Sequence, residues 1–244
     1  MLFSDRLNGK TALVTGATRG LGNALAQEYA KWGCNLIIVG RDATALEATR
    51  TEVKELNPDV KVGLVKCDLS SATQVLEMAQ NITNAVKGVD ILVNCAGVFP
   101  VGEIASMSLE EYRECMEVNL TAPFILIKEL SRNMISNGWG RIINVASSSA
   151  YGAAPTTSVY CASKHAMLGL SRSLFKELKP HNVRVLCVSP GSIQTDMGRE
   201  VEKLGQDFQT FMTPHEVSEY IVYNTSLDGN LVSEEIKLNR LHIQ

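Results

Sequence analysis

Tyr160 and Lys164 lie four positions apart in a stretch with helical patterning, residues 158–178. This spacing places both side chains on one face of a helix. A free phenol titrates at about pH 10, and a neighbouring ammonium group stabilises the phenolate and lowers that pKa. We therefore expect Tyr160 to act as a proton donor with a lowered pKa and Lys164 to act as its electrostatic partner. Because such pairs are common by chance, the interpretation depends on the residues around them.

A serine run precedes this pair. Ser147 follows an apolar strand pattern and begins the sequence Ser147-Ser148-Ser149. A hydroxyl group at this position can hydrogen-bond a substrate oxygen while Tyr160 protonates it. We predict that Ser147 orients the substrate, and the alternative is a plain polar loop.

Asn119 lies further upstream, four residues before Pro123 in a long helical stretch, residues 109–136. A proline ring clashes with the carbonyl four residues earlier and cannot donate a hydrogen bond. The sequence therefore predicts a break in the helix at Asn119. We hypothesise that the released carbonyl holds a water that connects Lys164 to solvent.

A glycine-rich turn follows the first strand pattern, with the sequence Thr15-Gly16-Ala17-Thr18-Arg19-Gly20-Leu21-Gly22. Glycines in such a turn let the backbone approach a pyrophosphate, and the helix that begins there presents unpaired N–H groups to it. A tight turn without a ligand is the alternative. Because the turn opens the first strand–helix unit, dinucleotide binding is the better interpretation.

The residues after the second strand bear on the choice of dinucleotide. A carboxylate at this point would bind the ribose of NAD and repel a 2′-phosphate. Here the strand is followed by Arg41, and Arg19 of the glycine turn can approach the same group. We predict a preference for NADP(H) over NAD(H). Asp42 leaves this open because it could turn inward or pair with Arg41, and both arginines could be solvated surface residues.

Turn residues after later strands complete the predicted cofactor cleft. Asp68-Leu69 follows the third strand, Asn94-Cys95-Ala96-Gly97 the fourth, and the Ser189-to-Thr195 segment the sixth. Ligands of open parallel sheets bind at these carboxyl ends. Residues 196–213 mix charges with large apolar side chains, which predicts either a mobile lid over the substrate or a packed connector.

These residues must be positioned by alternating strands and helices. Strand patterns occupy residues 11–15, 35–39, 61–66, 90–94, 141–145, 183–189 and 235–238, and helical patterns occupy residues 21–32, 43–56, 72–86, 109–136, 158–178 and 214–224. Most strands are apolar throughout, which is typical of parallel strands covered on both faces. We predict an α/β fold with one doubly wound Rossmann-type domain, residues 1–244, and a mostly parallel sheet of about seven strands.

Composition excludes several other classes of protein. The 244 residues are 45% hydrophobic and 20% charged, with a net charge of −3, which argues against disorder and nucleic-acid binding. No apolar run is long enough for a membrane span, and residues 1–10 lack the pattern of a secretory signal, so we expect a cytoplasmic protein. The six cysteines and four histidines are dispersed without metal-ligand spacing, so no metal site is predicted.

Together, these ordered motifs resemble the short-chain dehydrogenase/reductase family, from about Lys10 to Thr195. The resemblance implies a catalytic tetrad of Asn119, Ser147, Tyr160 and Lys164, and a homodimer or homotetramer. With the residue patterns, it gives this cofactor-binding set: Gly16, Thr18, Arg19, Gly20, Leu21, Gly22, Arg41, Asp68, Leu69, Asn94, Ala96, Gly97, Tyr160, Lys164, Pro190, Gly191, Ile193 and Thr195. The sequence departs from the family at Cys95, where a second asparagine is usual. Its ending, residues 234–240, also lacks the Asp-Gly-Gly of the ketoacyl reductase branch.

The expected function is NADPH-dependent reduction of a ketone or aldehyde to an alcohol, similar to a 3-oxoacyl or general carbonyl reductase. The partner is then a small carbonyl or alcohol substrate. Two alternatives remain open at this point. One is an NAD(P)-dependent alcohol, polyol or steroid dehydrogenase that works in the oxidative direction. The other is a cofactor-sensing regulatory protein without catalysis, although the complete Ser-Tyr-Lys set argues against it.

Overall fold

A computed structural model describes residues 6–85 and 88–241 of the chain. Seven parallel strands form one sheet in the order β3-β2-β1-β4-β5-β6-β7. The strands are β1 (Thr11–Thr15), β2 (Asn35–Gly40), β3 (Val62–Lys66), β4 (Ile91–Asn94), β5 (Gly140–Val145), β6 (Val183–Pro190) and β7 (Glu235–Leu238). This confirms the predicted parallel sheet, including the short seventh strand.

Within the described residues, eight α-helices connect and cover the strands. They are α1 (Gly20–Lys31), α2 (Ala43–Leu56), α3 (Ala72–Ala85), α4 (Leu109–Met116), α5 (Ala122–Ser136), α6 (Ser158–Leu178), α7 (Asp196–Glu202) and α8 (Pro214–Ser226). Predicted and observed bounds agree within two residues for most of them. The predicted end of the third helix at Val86 lies outside the described residues, as do the first five residues of the N-terminal segment.

The central strands are buried on both faces, which explains why their sequences do not alternate. Every residue of β4 and β5 is buried, whereas the edge strand β3 is partly exposed. One core cluster packs α1 and α8 against one face of the sheet, and a second packs α3 and α5 against the other. Burial of these two apolar layers is the main stabilising contribution to the fold.

The helical stretch predicted at residues 109–136 is interrupted in the structure. The chain instead forms α4, a π-helical turn at Glu117–Thr121, and α5 with Pro123 in its first turn. Since Pro123 lacks an N–H and crowds the preceding turn, the α-helical bonding pattern cannot continue through it. The break at Asn119 expected from the proline is therefore present, as a π-helical turn.

The sheet creates a crevice where the strand order reverses. The chain runs outward from β1 through β2 to β3, then crosses to β4 on the other side of β1. Thr15, at the end of β1, accepts hydrogen bonds from the backbone N–H groups of Cys95 (3.0 Å) and Ala96 (3.1 Å). This ties the ends of β1 and β4 together at the point where open α/β sheets bind ligands.

No helix within residues 6–85 and 88–241 is long and apolar enough to cross a membrane. The same residues hold no group of three or more potential metal ligands. All six cysteines are free thiols.

Candidate active site

A cleft of about 600 Å³ opens at the carboxyl ends of the strands. It brings together most of the predicted site residues, which come from seven separate segments of the chain. The predicted residues that line it are Gly16, Thr18, Arg19, Gly20, Leu21, Gly22, Arg41, Asp68, Leu69, Ala96, Gly97, Ser147, Tyr160, Lys164, Pro190, Gly191, Ile193 and Thr195. Two predicted residues, Asn94 and Asn119, lie behind its wall.

The glycine turn has no room for side chains at its key positions. A Cβ atom at Gly22 would lie 2.1 Å from the carbonyl oxygen of Gly16, so α1 could not pack so close to the turn. Gly16 itself has φ +67°, which favours glycine, and a Cβ there would lie 2.8 Å from the Cα of Ala96. The turn is therefore built for close approach of a ligand to the backbone.

The helix after the turn begins without a side-chain cap. Arg19 occupies the N-cap position of α1, and its side chain makes no capping hydrogen bond. The first N–H groups of α1 therefore remain available to an anion, and the helix dipole adds a favourable field. Together with the cradle at Gly16 and Gly22, this arrangement fits the pyrophosphate of NAD(P).

The rim of the cleft at β2 carries the two arginines predicted to select the cofactor. Asp42 is the N-cap of α2 and accepts from the N–H groups of Thr44 (2.8 Å) and Ala45 (3.1 Å). Its carboxylate is thus engaged in capping the helix α2. Arg41 instead lies 4.0 Å from Glu114, and Arg19 pairs with Asp196 at 3.0 Å, both in exposed ion pairs.

Asp68 lies at the same rim, after β3. Its carboxylate accepts from the N–H (3.0 Å) and hydroxyl (2.8 Å) of Ser70, and these bonds hold the pKa of Asp68 below its usual range. A carboxylate that stays charged can accept further hydrogen bonds from a ligand. This is consistent with the place of Asp68 in the predicted cofactor-binding set.

The opposite wall of the cleft carries the candidate catalytic residues. Tyr160 and Lys164 lie in the first turns of α6, and both are buried, with exposures of 6% and 4%. The Lys164 Nζ donates to the carbonyl oxygen of Val145 at 2.9 Å and lies 5.6 Å from the centre of the Tyr160 ring. The ring of Phe99 packs edge-on against Tyr160, with 4.6 Å between ring centres. The phenol is thereby held between a charged group and an apolar wall.

Burial dominates the pKa values of both groups. It raises the pKa of Tyr160 to about 12, and a hydrogen bond with Ser147 opposes part of that rise. Burial also lowers the pKa of Lys164 to about 8. The expected lowering of the Tyr160 pKa is thus not found in the protein chain alone. The reason is that withdrawal from water penalises the phenolate more than the chain's own groups stabilise it.

Asn119 supports the catalytic wall from behind. Its side chain accepts from the N–H of Val98 at 2.9 Å and donates to Ser163 Oγ at 3.0 Å. Ser163 in turn donates to the carbonyl of Tyr160 at 2.7 Å. Asn119 therefore links the π-helical turn to the helix that carries the tyrosine. Its Oδ1 would lie 3.4 Å from a Cβ at Gly97, which places it directly behind the cleft wall.

Asn94 also lies one layer behind the wall, with an exposure of 3%. Its side chain donates to Asn144 at 2.8 Å. Any contribution of Asn94 to cofactor binding is therefore indirect.

Three contributors to the site escaped the sequence reasoning. Thr15 ties the two strand ends together, Val145 supplies the carbonyl that binds Lys164, and Ser163 connects Asn119 to Tyr160. Thr15 is the first residue of the glycine-rich turn, so its position was a usable signal. The other two act through a backbone atom or a contact between distant segments, which spacing along the chain does not reveal.

A comparison with known families decides what this arrangement is. A family model described as short chain dehydrogenase matches residues 10–204, which include the glycine turn and the Tyr160–Lys164 pair. The chain belongs to the short-chain dehydrogenase family. It is therefore an oxidoreductase of the NAD(P)-binding type, and the resemblance inferred from its motifs is confirmed.

Relatives with different activities match over most of this chain. The 3-oxoacyl-(acyl-carrier-protein) reductase of Aquifex aeolicus is 34% identical over 238 residues, covering 95% of this chain and 96% of the reductase. The D-threitol dehydrogenase of Mycolicibacterium smegmatis is 33% identical over 198 residues, covering 81% of this chain and 75% of that enzyme.

Among solved structures, a metagenomic short-chain oxidoreductase in complex with NADP has a TM-score of 0.84 and 28% identity, covering 97% of this chain and 99% of that chain. These similarities support a general oxidoreductase role, and the relatives differ in the substrate and direction that their names state.

Proposed function

We propose that the protein is an NADPH-dependent reductase of a ketone or aldehyde, with Tyr160 as the proton donor. The observation that carries this proposal is the convergence of Ser147, Tyr160 and Lys164 on one wall of the cleft that also contains the glycine turn. NADPH would supply the hydride when bound. The chain's own residues supply binding, orientation and the proton.

The catalytic wall is suited to delivering a proton to a carbonyl oxygen. The high pKa of Tyr160, about 12, keeps its phenol protonated at neutral pH, so the group is present as an acid. Lys164, with a pKa of about 8, is mostly charged at pH 7 and lies close enough to stabilise the phenolate that forms. Ser147 lines the same wall and would hydrogen-bond the substrate oxygen.

The preference for NADPH is supported by the charges at the rim. Arg41 and Arg19 line the cleft, and because both side chains are exposed they can exchange their carboxylate partners for a phosphate. The carboxylate of Asp42 is engaged by the N-terminus of α2. A guanidinium group binds a phosphate with two parallel hydrogen bonds, which an adenosine ribose without a 2′-phosphate cannot accept.

The substrate end of the cleft has a mainly apolar lining. Phe99, Ala154, Met197, Val201 and Leu204 contribute to it. We propose a carbonyl substrate with an apolar portion, bound beneath residues 196–213 as a lid. The support for the lid is that α7 contributes Met197 and Val201 to the cleft, while Phe208 and Phe211 anchor the rest of the segment in the core.

The proposal includes a homodimer or homotetramer and a cytoplasmic location. Exposed apolar side chains on α4 and α5, namely Leu109, Tyr112 and Phe124, support self-association. Six free thiols, of which five are buried, suit a reducing compartment. Light scattering coupled to gel filtration tests the assembly, and a monomer at micromolar concentration would contradict it.

The function is tested by following NADPH absorbance with a panel of carbonyl compounds. The panel contains a 3-oxoacyl thioester, a methyl ketone and an aromatic aldehyde, and the reverse arm contains NADP⁺ with an aliphatic alcohol and a polyol. We expect turnover with at least one carbonyl compound. Turnover in the reverse arm alone, with none in the forward arm at neutral pH, would favour the oxidative alternative. Binding of NADPH without turnover in either arm would favour a cofactor sensor.

A further inference from the structure

A buried chain of polar side chains fastens α6 to the sheet, away from the cleft. Ser171 is 2% exposed and lies seven residues beyond Lys164, on the same face of the helix. The Asn144 side-chain amide of β5 donates to Ser171 Oγ at 3.0 Å. Asn94 of β4, paired with Asn144 in the sheet register, donates to the Asn144 Oδ1 at 2.8 Å.

The direction of every bond in this chain is fixed from its helical end. The Ser171 hydroxyl donates to the carbonyl of Met167 at 2.8 Å, so its oxygen accepts from the NH₂ group of Asn144. The carbonyl of the Asn144 side chain must then face the NH₂ group of Asn94. As a result, the Asn94 Oδ1 is buried with no hydrogen-bond partner among the described residues.

An unpaired buried acceptor costs about 1 to 3 kcal/mol of stability, whereas apolar side chains of similar shape would avoid that cost. The polar chain is therefore poorly explained as a stabilising feature alone. A role in fixing the position of α6 gives a reason for hydrogen bonds at this place, because they are directional and apolar contacts are not.

The geometry connects these hydrogen-bonded side chains to the wall of the cleft that carries Tyr160 and Lys164. Asn144 directly precedes Val145, whose carbonyl accepts from Lys164 at 2.9 Å. Two hydrogen bonds therefore join adjacent residues of β5 to the same face of α6, at Lys164 and at Ser171. Two such attachments along α6 restrict both the rotation of the helix about its axis and its distance from β5.

We propose that Ser171 and Asn144 are positioning residues, which hold α6 against β5 so that Tyr160 and Lys164 keep their places in the cleft. The inference rests on the proposed function of Tyr160 and Lys164. Neither Ser171 nor Asn144 lines the cleft, and the glycine turn belongs to β1 and α1. Their loss should thus affect turnover and leave cofactor affinity nearly unchanged.

The main test is Ser171→Ala. We expect kcat to fall by about 10- to 100-fold, because displacement of a reacting group by about 1 Å can cost about 100-fold in rate. The dissociation constant of NADPH, measured by fluorescence titration, should stay near the wild-type value. Hydrogen exchange should become faster in the first turns of α6 and not in α1, a readout that requires no substrate.

Three further variants separate positioning from loss of stability. Ser171→Thr retains a hydroxyl that can make both bonds and should restore much of kcat. Ser173→Ala changes an exposed serine of the same helix and should leave kcat unchanged. Tyr29→Phe removes a buried hydrogen bond to Thr225 (2.9 Å) between α1 and α8, and should lower stability without lowering kcat.

The proposal is overturned if Ser171→Ala keeps the wild-type kcat, if its loss of kcat equals that of Tyr29→Phe, or if NADPH affinity falls in parallel with kcat. If Ser171→Ala does not fold, Ser171→Cys takes its place, since a thiol is a weaker acceptor of similar shape. If Tyr160→Phe is inactive and Ser171→Ala is fully active, the positioning proposal is refuted and the proposed function stands. A fully active Tyr160→Phe refutes the proposed function itself.

Discussion

The two walls of the cleft are built in different ways. On the catalytic wall, Tyr160 and Lys164 are buried and Lys164 is bonded to the backbone. On the rim of the cleft at β2, the side chains of Arg19 and Arg41 are 76% and 65% exposed and pair with exposed carboxylates. The first wall fixes its groups before a ligand arrives, whereas the second presents charges that can change partners.

This difference separates the two tasks of the site. Proton transfer requires groups held within a few tenths of an ångström, and buried hydrogen bonds provide that precision. Phosphate binding requires charge and reach, which exposed arginines provide at little cost in stability. Substitutions on the catalytic wall should therefore change kcat, and substitutions on the rim should change the choice of cofactor.

The largest expected effect is that of Tyr160→Phe. Removal of the phenolic hydroxyl should lower kcat by about 10²- to 10⁴-fold, the usual contribution of a general acid. NADPH binding, measured by fluorescence titration, should be largely retained. Tyr220→Phe, at an exposed tyrosine of α8, is the matched control and should keep full activity. Wild-type turnover in Tyr160→Phe would refute the division between the two walls.

The second effect concerns the stability of the buried lysine. Burial lowers the pKa of Lys164 from 10.5 to about 8, so between these pH values the unfolded chain binds more protons than the folded one. The contribution of Lys164 to stability must then rise with pH in that window. At pH 7 the buried ammonium group opposes folding, by up to about 3 kcal/mol for a shift of this size.

Lys164→Met removes this penalty. In urea unfolding, the variant should exceed the wild type in stability at pH 7, and this advantage should shrink as the pH rises from 8 to 10.5. The buried thiols titrate in both proteins, so the difference between their free energies of unfolding isolates the titration of Lys164. A difference that does not change with pH would show that the pKa of Lys164 is the same in the folded and the unfolded protein.

The proximity of Tyr160 and Lys164 and the position of the glycine turn could be predicted from the sequence because each is encoded locally. Four residues of spacing place Tyr160 and Lys164 on one helix face, and the glycines of the turn stand next to each other in the chain. The fold followed for a similar reason, since uniformly apolar strands indicate burial on both sides. The short strand at Glu235–Leu238 was also predicted, although its sequence alternates polar and apolar residues.

Other features depend on contacts between distant segments. The pKa of Tyr160 could not be predicted because burial is a property of the whole fold, and it reversed the expected direction. The π-helical turn at Glu117–Thr121 was anticipated only as a break, because Pro123 removes a bond without determining the new pattern. Asn94 was placed on the cleft wall from its position at the end of β4, yet its side chain donates to Asn144 behind the wall.

A smaller effect is expected on the rim from Arg41→Asp. Loss of charged hydrogen bonds, about 1.5 to 3 kcal/mol, should raise the KM for NADPH by about 10- to 100-fold. The KM for NADH should fall or stay constant, and kcat should change little. Arg50→Asp, further along α2, serves as a control for charge reversal. Equal changes in the KM of both cofactors would show that Arg41 does not read the 2′-phosphate.

The smallest effect should come from Asp196→Asn, which breaks the ion pair between the glycine turn and α7. Exposed ion pairs contribute about 0 to 1 kcal/mol, so the stability of the protein should hardly change. Removal of this carboxylate frees Arg19 for a phosphate, and the affinity for NADPH should therefore rise slightly, by less than about fivefold, while that for NADH stays constant. Isothermal titration with both cofactors measures the difference. A weaker affinity for NADPH would mean that Asp196 holds Arg19 in a binding position, and the rim would then be as preorganised as the catalytic wall.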